Sequence, residues 1–253
     1  MFSTPEIVVL LLVAILGHIM ALLWYAAYKY DWRLCQRRIY DLPITHDQIR
    51  RELKNSLHVP MHAVLLAVLL ALGFFQNTSI ASFFYSVIGT TIWAEIWHYA
   101  SHRAFHLRAL HWIHVEHHKS RVNSPFTAIS FSFTEKLTFD GGLLVVLACV
   151  DAFCPLNFFG IATWFVGYLL VNSFGHANFE LGAARHTHSL GKVLTSTTYH
   201  SLHHSRYSGN YGLSTRILDR MFKTEWNDYE KLYDRINLDR KPLDSLRERV
   251  TAS

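Results

Sequence analysis

Long apolar runs without charged residues dominate the pattern of hydrophobic and polar positions along this chain. The first run covers 22 residues, 7–28, and contains no Asp, Glu, Lys or Arg. A helix of that length, rising about 1.5 Å per residue, crosses a bilayer core about 30 Å thick. Glu6 is the only charge before it, so the run predicts a retained transmembrane helix rather than a signal peptide with a basic start. Further runs predict membrane segments at 57–75, 80–97, 137–153 and 156–175.

The fourth of these segments is the weakest. Asp140 and Asp151 leave only ten uncharged residues between them, so five crossings, or three crossings with a re-entrant hairpin, are both compatible with the pattern. The basic residues indicate the orientation: of 24 Lys and Arg, seven lie in 29–56, five in 98–136 and twelve in 176–253. The positive-inside rule places these stretches in the cytoplasm and the N-terminus outside. A bacterial inner membrane and the endoplasmic reticulum are equally compatible with this arrangement.

Composition supports a membrane protein and excludes several other classes. Apolar residues make up 51% of the 253 residues and charged residues 17%, too few charges for an ordinary soluble domain and too much hydrophobicity for disorder. The three cysteines form no CxxC pair. The net charge of +5 lies beside the apolar runs, which indicates a membrane surface and not nucleic acid. We expect one domain over 1–253, with a core at about 50–226 and a solvated, polar helical tail at 227–253.

Histidine is the unusual residue type, with seventeen copies. Spacings of three and four residues place side chains on one face of a helix. Three boxes have such spacings, and one further histidine stands alone after the fifth apolar run: His98 and His102, then His114, His117 and His118, then His200, His203 and His204, and finally His176. Imidazole suits iron, zinc, copper or nickel, whereas calcium and magnesium prefer oxygen. The boxes together supply enough ligands for two metal ions. Five other histidines are interpreted as ordinary polar residues: His18, His46, His58, His62 and His106.

The predicted metal site lies at the membrane surface. His98 directly follows the third apolar segment, and His176 directly follows the fifth. Glu95 precedes His98 by one helical turn, at a depth where a carboxylate is usually functional. We expect Glu95 to orient the ring of His98 through a hydrogen bond. The alternative is that the Glu95 side chain only extends its carboxylate to the membrane–water interface and has no role at the site.

The three boxes and the residues after them resemble the fatty acid hydroxylase/sterol desaturase superfamily. The similarity spans about residues 50–226 and includes Asn210-Tyr211-Gly212 and the stretch 218–224, which resemble the family's NYG and WD-x-x-x-G-T motifs. There are departures: Leu218 stands where the family usually has Trp, Lys223 where it usually has Gly, and Ser132-Phe133-Thr134-Glu135 where many members have His-Pro-x-Glu. None of these changes removes a histidine from the boxes.

The resemblance implies a bundle of transmembrane helices with a cytosolic helical cap. The fold is therefore predicted to be an all-α integral membrane protein with about four to five transmembrane helices, whose cap carries the boxes. The resemblance also implies a non-haem di-iron centre that activates O₂, in which zinc can replace iron on expression. The implied ligands are His98, His102, His114, His117, His118, His176, His200, His203 and His204. A tenth ligand is expected at His188, with His186 as the alternative, and Glu180 is a candidate partner of a ligand or a bound water.

The predicted function is an O₂-dependent lipid oxygenase that hydroxylates or desaturates a C–H bond of a sterol-like or acyl lipid. The chain has no nucleophile elbow, P-loop or dinucleotide-binding motif. It also has no recognisable cytochrome b5-like segment, so electrons are expected from an external cytochrome b5-, ferredoxin- or reductase-type protein. Basic residues of the cytosolic face are candidates for attracting that donor: Arg103, Arg108, Lys119, Arg121 and Arg206. The alternatives are an acyl-chain desaturase of the other three-box family and, from a different class, a metal transporter or storage protein.

Overall fold

The computed structural model describes residues 2–182 and 190–250, and within these ranges the regular structure is helical, with isolated β-bridges and no strands. This confirms the all-α prediction. Ten α-helices follow one another along the chain: α1 Thr4–Lys29, α2 His46–Asn55, α3 Met61–Ala71, α4 Ile80–Phe105, α5 His111–His118, α6 Phe133–Asp151, α7 Phe158–Gly175, α8 Thr197–Arg206, α9 Ile217–Met221 and α10 Tyr229–Asn237. Short 3₁₀ turns lie at Arg33–Cys35, Ser56–His58 and Pro125–Ile129.

Several of these helices begin where the sequence offers a capping side chain. At each of five starts a Ser, Thr or Asn accepts a hydrogen bond from the backbone N–H three residues later, which satisfies one of the free donors of the first turn. These caps are Thr45, Ser79, Ser132, Asn157 and Ser196. The starts of α4, α6 and α8, which carry or support the site, are therefore set by local sequence.

Three helical runs are long and apolar enough to cross a membrane: Thr4–Lys29, His46–Ala71 and Phe158–Gly175. The predicted segment 57–75 differs from the structure, because its α-helix begins only at Met61, after Pro60, and has 11 residues. It reaches a spanning length only together with α2 and the turn before it. The predicted segments 80–97 and 137–153 are helical, as α4 and α6. Neither helix is both long enough and apolar enough to count among the candidate membrane spans. The membrane assignment stands on three helices, and four to five crossings stay a prediction.

The core of the membrane part lies where α1, α3, α4, α6 and α7 meet, around Leu66, Leu144, Ile161 and Phe165. Close approach of α4 and α7 depends on Gly160. A Cβ at that position would lie 2.6 Å from the carbonyl oxygen of Phe83 on α4, well inside van der Waals contact. Small residues at such contacts are typical of helix pairs in membranes.

A second layer covers the ends of α4 and α7 and contains α5, α8 and α10. Tyr199 and Leu202 of α8 pack against Tyr229, Leu232 and Ile236 of α10, all almost completely buried. The interpretation of 227–253 as a solvated tail is therefore wrong for this part. Its apolar residues recur at helical spacing on one face of α10, and that face covers the helix that carries the last histidine box.

We expect Gly160→Ala to lower the free energy of unfolding of the detergent-solubilised protein by about 1–3 kcal/mol. The added methyl group would meet backbone atoms of α4 that cannot move aside. The matched control is Gly167→Ala on the same helix, where a Cβ meets no atom within 4 Å. Alanine favours a helix over glycine, so the control should be neutral or slightly stabilising. Equal unfolding temperatures for the two variants would contradict the role of Gly160 in helix packing.

Candidate metal centre

Histidines from four places in the chain converge on two adjacent groups. Within each group, one ring nitrogen of every member lies within 4.8 Å of the corresponding nitrogens of the other members. The first group contains His102, His106, His114, His118 and His203, and the second contains His117, His176, His200 and His204. The end of α4, all of α5, the residue after α7 and all of α8 contribute. The HxxHH spacing sends His114 and His118 to the first group and His117 to the second, and it sends His203 to the first and His200 and His204 to the second, so each of the two HxxHH boxes serves both groups.

The histidines of α4 that join the first group are not the pair that forms the first box. His102 and His106 enter the first group together, whereas His98 enters neither. His98 instead stacks on Phe139 and lines the cavity beside the groups. The interpretation of His106 as an ordinary polar residue is therefore corrected. His106 follows His102 by four residues, the same spacing that joins His98 to His102, and this was the available signal. His186 and His188 lie outside the described residues.

Hydrogen bonds at the rear of the rings fix their orientation. In six of the nine grouped histidines, Nδ1 lies 2.5–3.1 Å from an acceptor outside the groups. The acceptors are carbonyl oxygens of Tyr211 for His102, Ser130 for His117, Asn172 for His176, Gly209 for His203 and Ser120 for His204, and a carboxylate oxygen of Glu135 for His114. A carbonyl oxygen only accepts, so Nδ1 carries the proton and the lone pair on Nε2 is directed into the group.

These lone pairs approach one another too closely to be stable without a cation. In the second group, Nε2 of His200 lies 2.8 Å from Nε2 of His176 and 3.1 Å from Nε2 of His204. His176 and His204 have no proton on Nε2, and His200 can donate only one, so one of these contacts brings two lone pairs together. In the first group, Nε2 of His102, His106 and His114 is buried and has no hydrogen-bond partner within 2–182 and 190–250. Two sets of imidazole nitrogens with these properties fit two transition-metal ions.

Burial also keeps the rings in the state that binds metal. Removal from water lowers the pKa of His117 to about 4 and lowers the pKa values of His114 and His118 well below the usual range, with neighbouring imidazoles adding to the effect in the last two. The pKa values of His200 and His204 on α8 are lowered well below the usual range for the same reasons. Neutral imidazole is the form that donates a lone pair to a metal.

Two buried carboxylates missed by the sequence analysis help to set the rings. Glu135, at the start of α6, lies 2.5 Å from Nδ1 of His114 through Oε1. Glu52 of α2 is buried and accepts hydrogen bonds from the hydroxyl groups of Ser120 and Thr127, 2.6 and 2.7 Å away. The carbonyl of Ser120 in turn accepts from His204. Glu52 gave no signal in the sequence, and Glu135 was noted only within a departure from a family motif.

The two carboxylates that the sequence did suggest act on backbone and not on imidazoles. Glu180 accepts a hydrogen bond of 2.7 Å from the backbone N–H of Thr198, in the first turn of α8, and thereby positions the helix of the last box. Glu95 accepts from the backbone N–H groups of Ser214 and Thr215, at 2.9 and 3.2 Å. Among the described residues, no hydrogen bond joins Glu95 to His98, because the loop 214–215 occupies both carboxylate oxygens.

The loop 209–212 binds two histidines of the first group that lie on different helices. Its carbonyls at Gly209 and Tyr211 accept from His203 and His102, which belong to different helices. The carboxylate of Asp219 holds the loop by accepting from the backbone N–H groups of Tyr211 and Gly212, at 2.9 and 2.6 Å. The motif residues after the last box therefore have a physical role, which is to orient two histidines.

Comparison with known proteins gives a family. The model of the fatty acid hydroxylase family matches residues 87–224, more than half of the chain. Protein CER1-like 1 of Arabidopsis thaliana is 32% identical over 147 residues, covering 56% of this chain and 23% of that protein. Very-long-chain aldehyde decarbonylase CER1 of Arabidopsis thaliana is 25% identical over 227 residues, covering 84% of this chain and 35% of that protein. No solved structure matches the chain significantly.

The chain belongs to the fatty acid hydroxylase family, as the resemblance of the boxes predicted. The family is one of enzymes that modify lipids, and the matched range contains every box together with the loop 209–212. The chain spans about a quarter to a third of the length of the curated relatives it matches.

The stability of the metal-free protein should fall as the pH is lowered from about 6.5 towards 4. In this window the unfolded chain binds protons at His117 and its neighbours, whereas the folded chain does not, since the folded pKa values lie below the unfolded ones. Thermal unfolding in detergent at pH 7.5, 6 and 5 measures the effect. His117→Gln should reduce the slope, and His46→Gln at an exposed position should leave it unchanged. A stability independent of pH would contradict the burial of neutral imidazoles.

Replacing Lys223 with Gly should stabilise the protein by about 1 kcal/mol or less, since Lys223 has a φ of 56°, in the left-handed region that glycine adopts without strain. This is the position at which the sequence departs from the family's usual Gly. Lys223→Ala removes the same side chain but keeps a Cβ, so it should not stabilise. The unfolding temperatures of the two variants in the same detergent test the difference.

Proposed function

We propose that this member of the fatty acid hydroxylase family is an O₂-dependent di-iron oxygenase that hydroxylates or desaturates a C–H bond of a sterol-like or acyl lipid. The observation that supports it most is the position of the two histidine groups, which lie against a cavity that continues between two helices of the membrane part. A metal pair for transport would be expected on broken helices near the membrane midplane, whereas these groups lie at helix ends and in the covering layer.

A cavity with an inner and an outer part lies next to the histidines. Its inner part is narrow, with a volume of about 50 Å³, and is lined by rings of both groups, among them His102, His117 and His200, and by apolar side chains such as Phe165 and Leu143. An outer part of about 340 Å³ shares several lining residues with the inner part and extends between α4 and α7. An apolar chain can thus lie between these helices with its end near the metal groups.

Residues of the outer part are small or apolar where they face the gap between the helices: Val87, Thr91, Thr163, Gly167 and Val171. Four of them also reach the surface of the membrane part, because they are exposed: Thr91, Thr163, Gly167 and Val171. This supports entry of the substrate directly from the bilayer rather than from water.

Iron is the metal that the proposed reaction requires, and the nine neutral imidazoles suit it as they suit zinc. When bound, two iron ions would supply the activation of O₂ that no amino-acid side chain provides. The residues of this chain would hold the ions through imidazole nitrogens, while the rear hydrogen bonds fix the ring orientations and burial excludes bulk water. Zinc taken up on expression would occupy the same nitrogens without supporting the reaction.

The orientation in the membrane and the source of electrons extend the proposal. The N-terminus lies outside and the boxes lie on the cytosolic side, where an external electron donor of the cytochrome b5, ferredoxin or reductase type docks. Of the basic residues suggested for steering, Arg206 is paired with Asp228 at 2.6 Å and Lys119 is paired with Glu116. The exposed Arg103 and Arg108, beside the end of α4, are therefore the better candidates.

The test is turnover of membrane lipid with ¹⁸O₂ by purified protein loaded with Fe²⁺ and supplied with a reductant. Mass spectrometry of the lipids should show a gain of one ¹⁸O for hydroxylation or a loss of two hydrogens for desaturation. His117→Ala and His203→Ala each remove a ligand from a different group, so each should abolish product formation and lower bound metal from about two ions per chain towards one.

The control is His111→Gln, since His111 lies near His106 but belongs to neither group. It should retain its metal and its activity. Full lipid oxidation by both ligand variants would overturn the proposal. A product shortened by one carbon would instead assign the reaction named for the very-long-chain aldehyde decarbonylases among the relatives.

A further inference from the structure

Two adjoining segments near the ends of α4 and α7 expose large apolar side chains. The backbone N–H of Arg216 donates to the carbonyl oxygen of Val193 at 2.7 Å, and Leu194 and Thr215 form a β-bridge, so the two segments lie side by side. Several large apolar residues exposed together mark a contact surface, whereas isolated ones are ordinary. We call the following residues, each 42–64% exposed, the apolar patch: Val193, Leu194, Ile217, Met221 and Phe222.

The patch begins at the boundary of the membrane part. Glu95, inside the apolar segment 80–97 of α4, accepts hydrogen bonds from the backbone N–H groups of Ser214 and Thr215. Leu213 and Ser214 line the outer part of the cavity together with the last turn of α7, which is a candidate membrane span. The residues just before α9 are therefore held against both helices near the ends of their apolar stretches.

The apolar patch continues the outward face of α4. Ile88, Ile92 and Ile96 repeat every four residues and are 47–59% exposed, which places them on one side of the helix. Tyr99 follows Ile96 by three residues, and its ring stacks on the ring of Phe222 with 5.5 Å between centroids. The patch is thus an extension of an exposed apolar helix face and not an island within a polar surface.

The free charges beside the patch are positive. Lys192 and Lys223 flank it directly in sequence, and both are exposed. Between these lysines the one acidic residue is Asp219, which is buried and bound to the loop 209–212. Glu225 and Glu230 lie just beyond and form ion pairs with arginines. Apolar side chains with lysines at their edge suit the interface of a bilayer, where the ammonium groups reach the lipid phosphates.

We propose that the apolar patch inserts into the bilayer leaflet on the side of the histidine groups and that its two lysines bind the headgroups of anionic lipids. Continuity with the outward face of α4 and the positive edge favour lipid over a second protein as the occupant. The inference goes beyond the proposed function, because it depends on the membrane placement of the chain and not on the reaction. The segment around α9 is accordingly an interfacial element and not part of a water-exposed cap.

Insertion would also set the depth of the cavity. Thr195, which follows Leu194, and Leu213 and Ser214, which precede α9, line its outer part. With the patch in the leaflet, these lining residues lie below the headgroups. A lipid then reaches the cavity from the acyl region without passing through water.

The experiment measures the depth of a fluorophore attached to the patch. Met221→Cys is made in a full-length chain whose two exposed cysteines, Cys149 and Cys154, are replaced with Ser, since Cys35 is buried. The labelled protein is placed in nanodiscs of phosphatidylcholine and phosphatidylglycerol. We expect quenching by acyl-brominated lipid and protection from aqueous iodide, with the label about 5–10 Å into the boundary between headgroups and acyl chains.

The matched control is Asp47→Cys at the exposed start of α2, whose label should be quenched by iodide and not by brominated lipid. Iodide quenching of the Met221→Cys label equal to that of the control would overturn the inference. Protection from iodide without quenching by lipid would also overturn it, because a protein surface would then cover the patch. If Met221→Cys does not fold, the same outcomes apply to Ile217→Cys.

A second measurement tests the lysines. In nanodiscs of phosphatidylcholine alone, the label should move towards water, as shown by stronger iodide quenching. Lys192→Gln with Lys223→Gln should remove this difference between the two lipid mixtures. Lys54→Gln with Lys241→Gln removes the same charge at exposed positions outside the patch and should keep the difference. Equal depth in both mixtures for the chain with all four lysines would overturn the binding of anionic headgroups.

Discussion

The hydrogen bond at the rear of six of the nine grouped imidazoles is the interaction on which the rest of the site depends. A carbonyl oxygen behind Nδ1 fixes the proton there, and the opposite lone pair then has only one direction to take. Repeated for rings on α4, α5 and α8, this arrangement sends unprotonated nitrogens into two small volumes. Their mutual proximity is unfavourable without a cation, and each of the two groups could hold a metal ion.

Much of the chain outside the membrane part serves to hold those carbonyls in place. Ser120 is fixed by the buried Glu52 of α2, and the loop 209–212 is fixed by Asp219. Both carboxylates are satisfied by hydroxyl groups or backbone N–H groups, which stabilises their burial. A defect in either segment changes the direction of a lone pair without touching a histidine, and this explains why residues well separated from the boxes in sequence form part of the same centre.

The parts that sequence predicts well are those set by local rules. Apolar runs predicted helices, and among the described residues three helical runs are long and apolar enough to cross a membrane. Caps such as Ser79 and Ser196 mark helix starts, and the HxxHH spacing gives a helix face. Partners distant in sequence could not be found in this way: Glu135 meets His114 only because α6 returns to α5. The sequence could not show that His106 rather than His98 joins His102 in the first group. Both lie four residues from His102, and only the tertiary fold shows which of them faces the other boxes. The burial of α10 was visible in the spacing of Tyr229, Leu232 and Ile236, but its many charges favoured a solvated tail.

The helix α6 shows how the centre and the membrane part are joined. Glu135 at its start contacts a histidine of the first group, and one turn further along Asp140 lines the inner cavity. These charges make the helix too polar to be recognised as a simple membrane crossing, and the structure supplies the reason, because its polar side chains face inward while Val145 and Leu137 are exposed. A helix that must present a carboxylate to a histidine of the first group, polar groups to a cavity and apolar groups to lipid cannot be uniformly hydrophobic. Its weak apolar signal is therefore a consequence of its position between the lipid and the histidines.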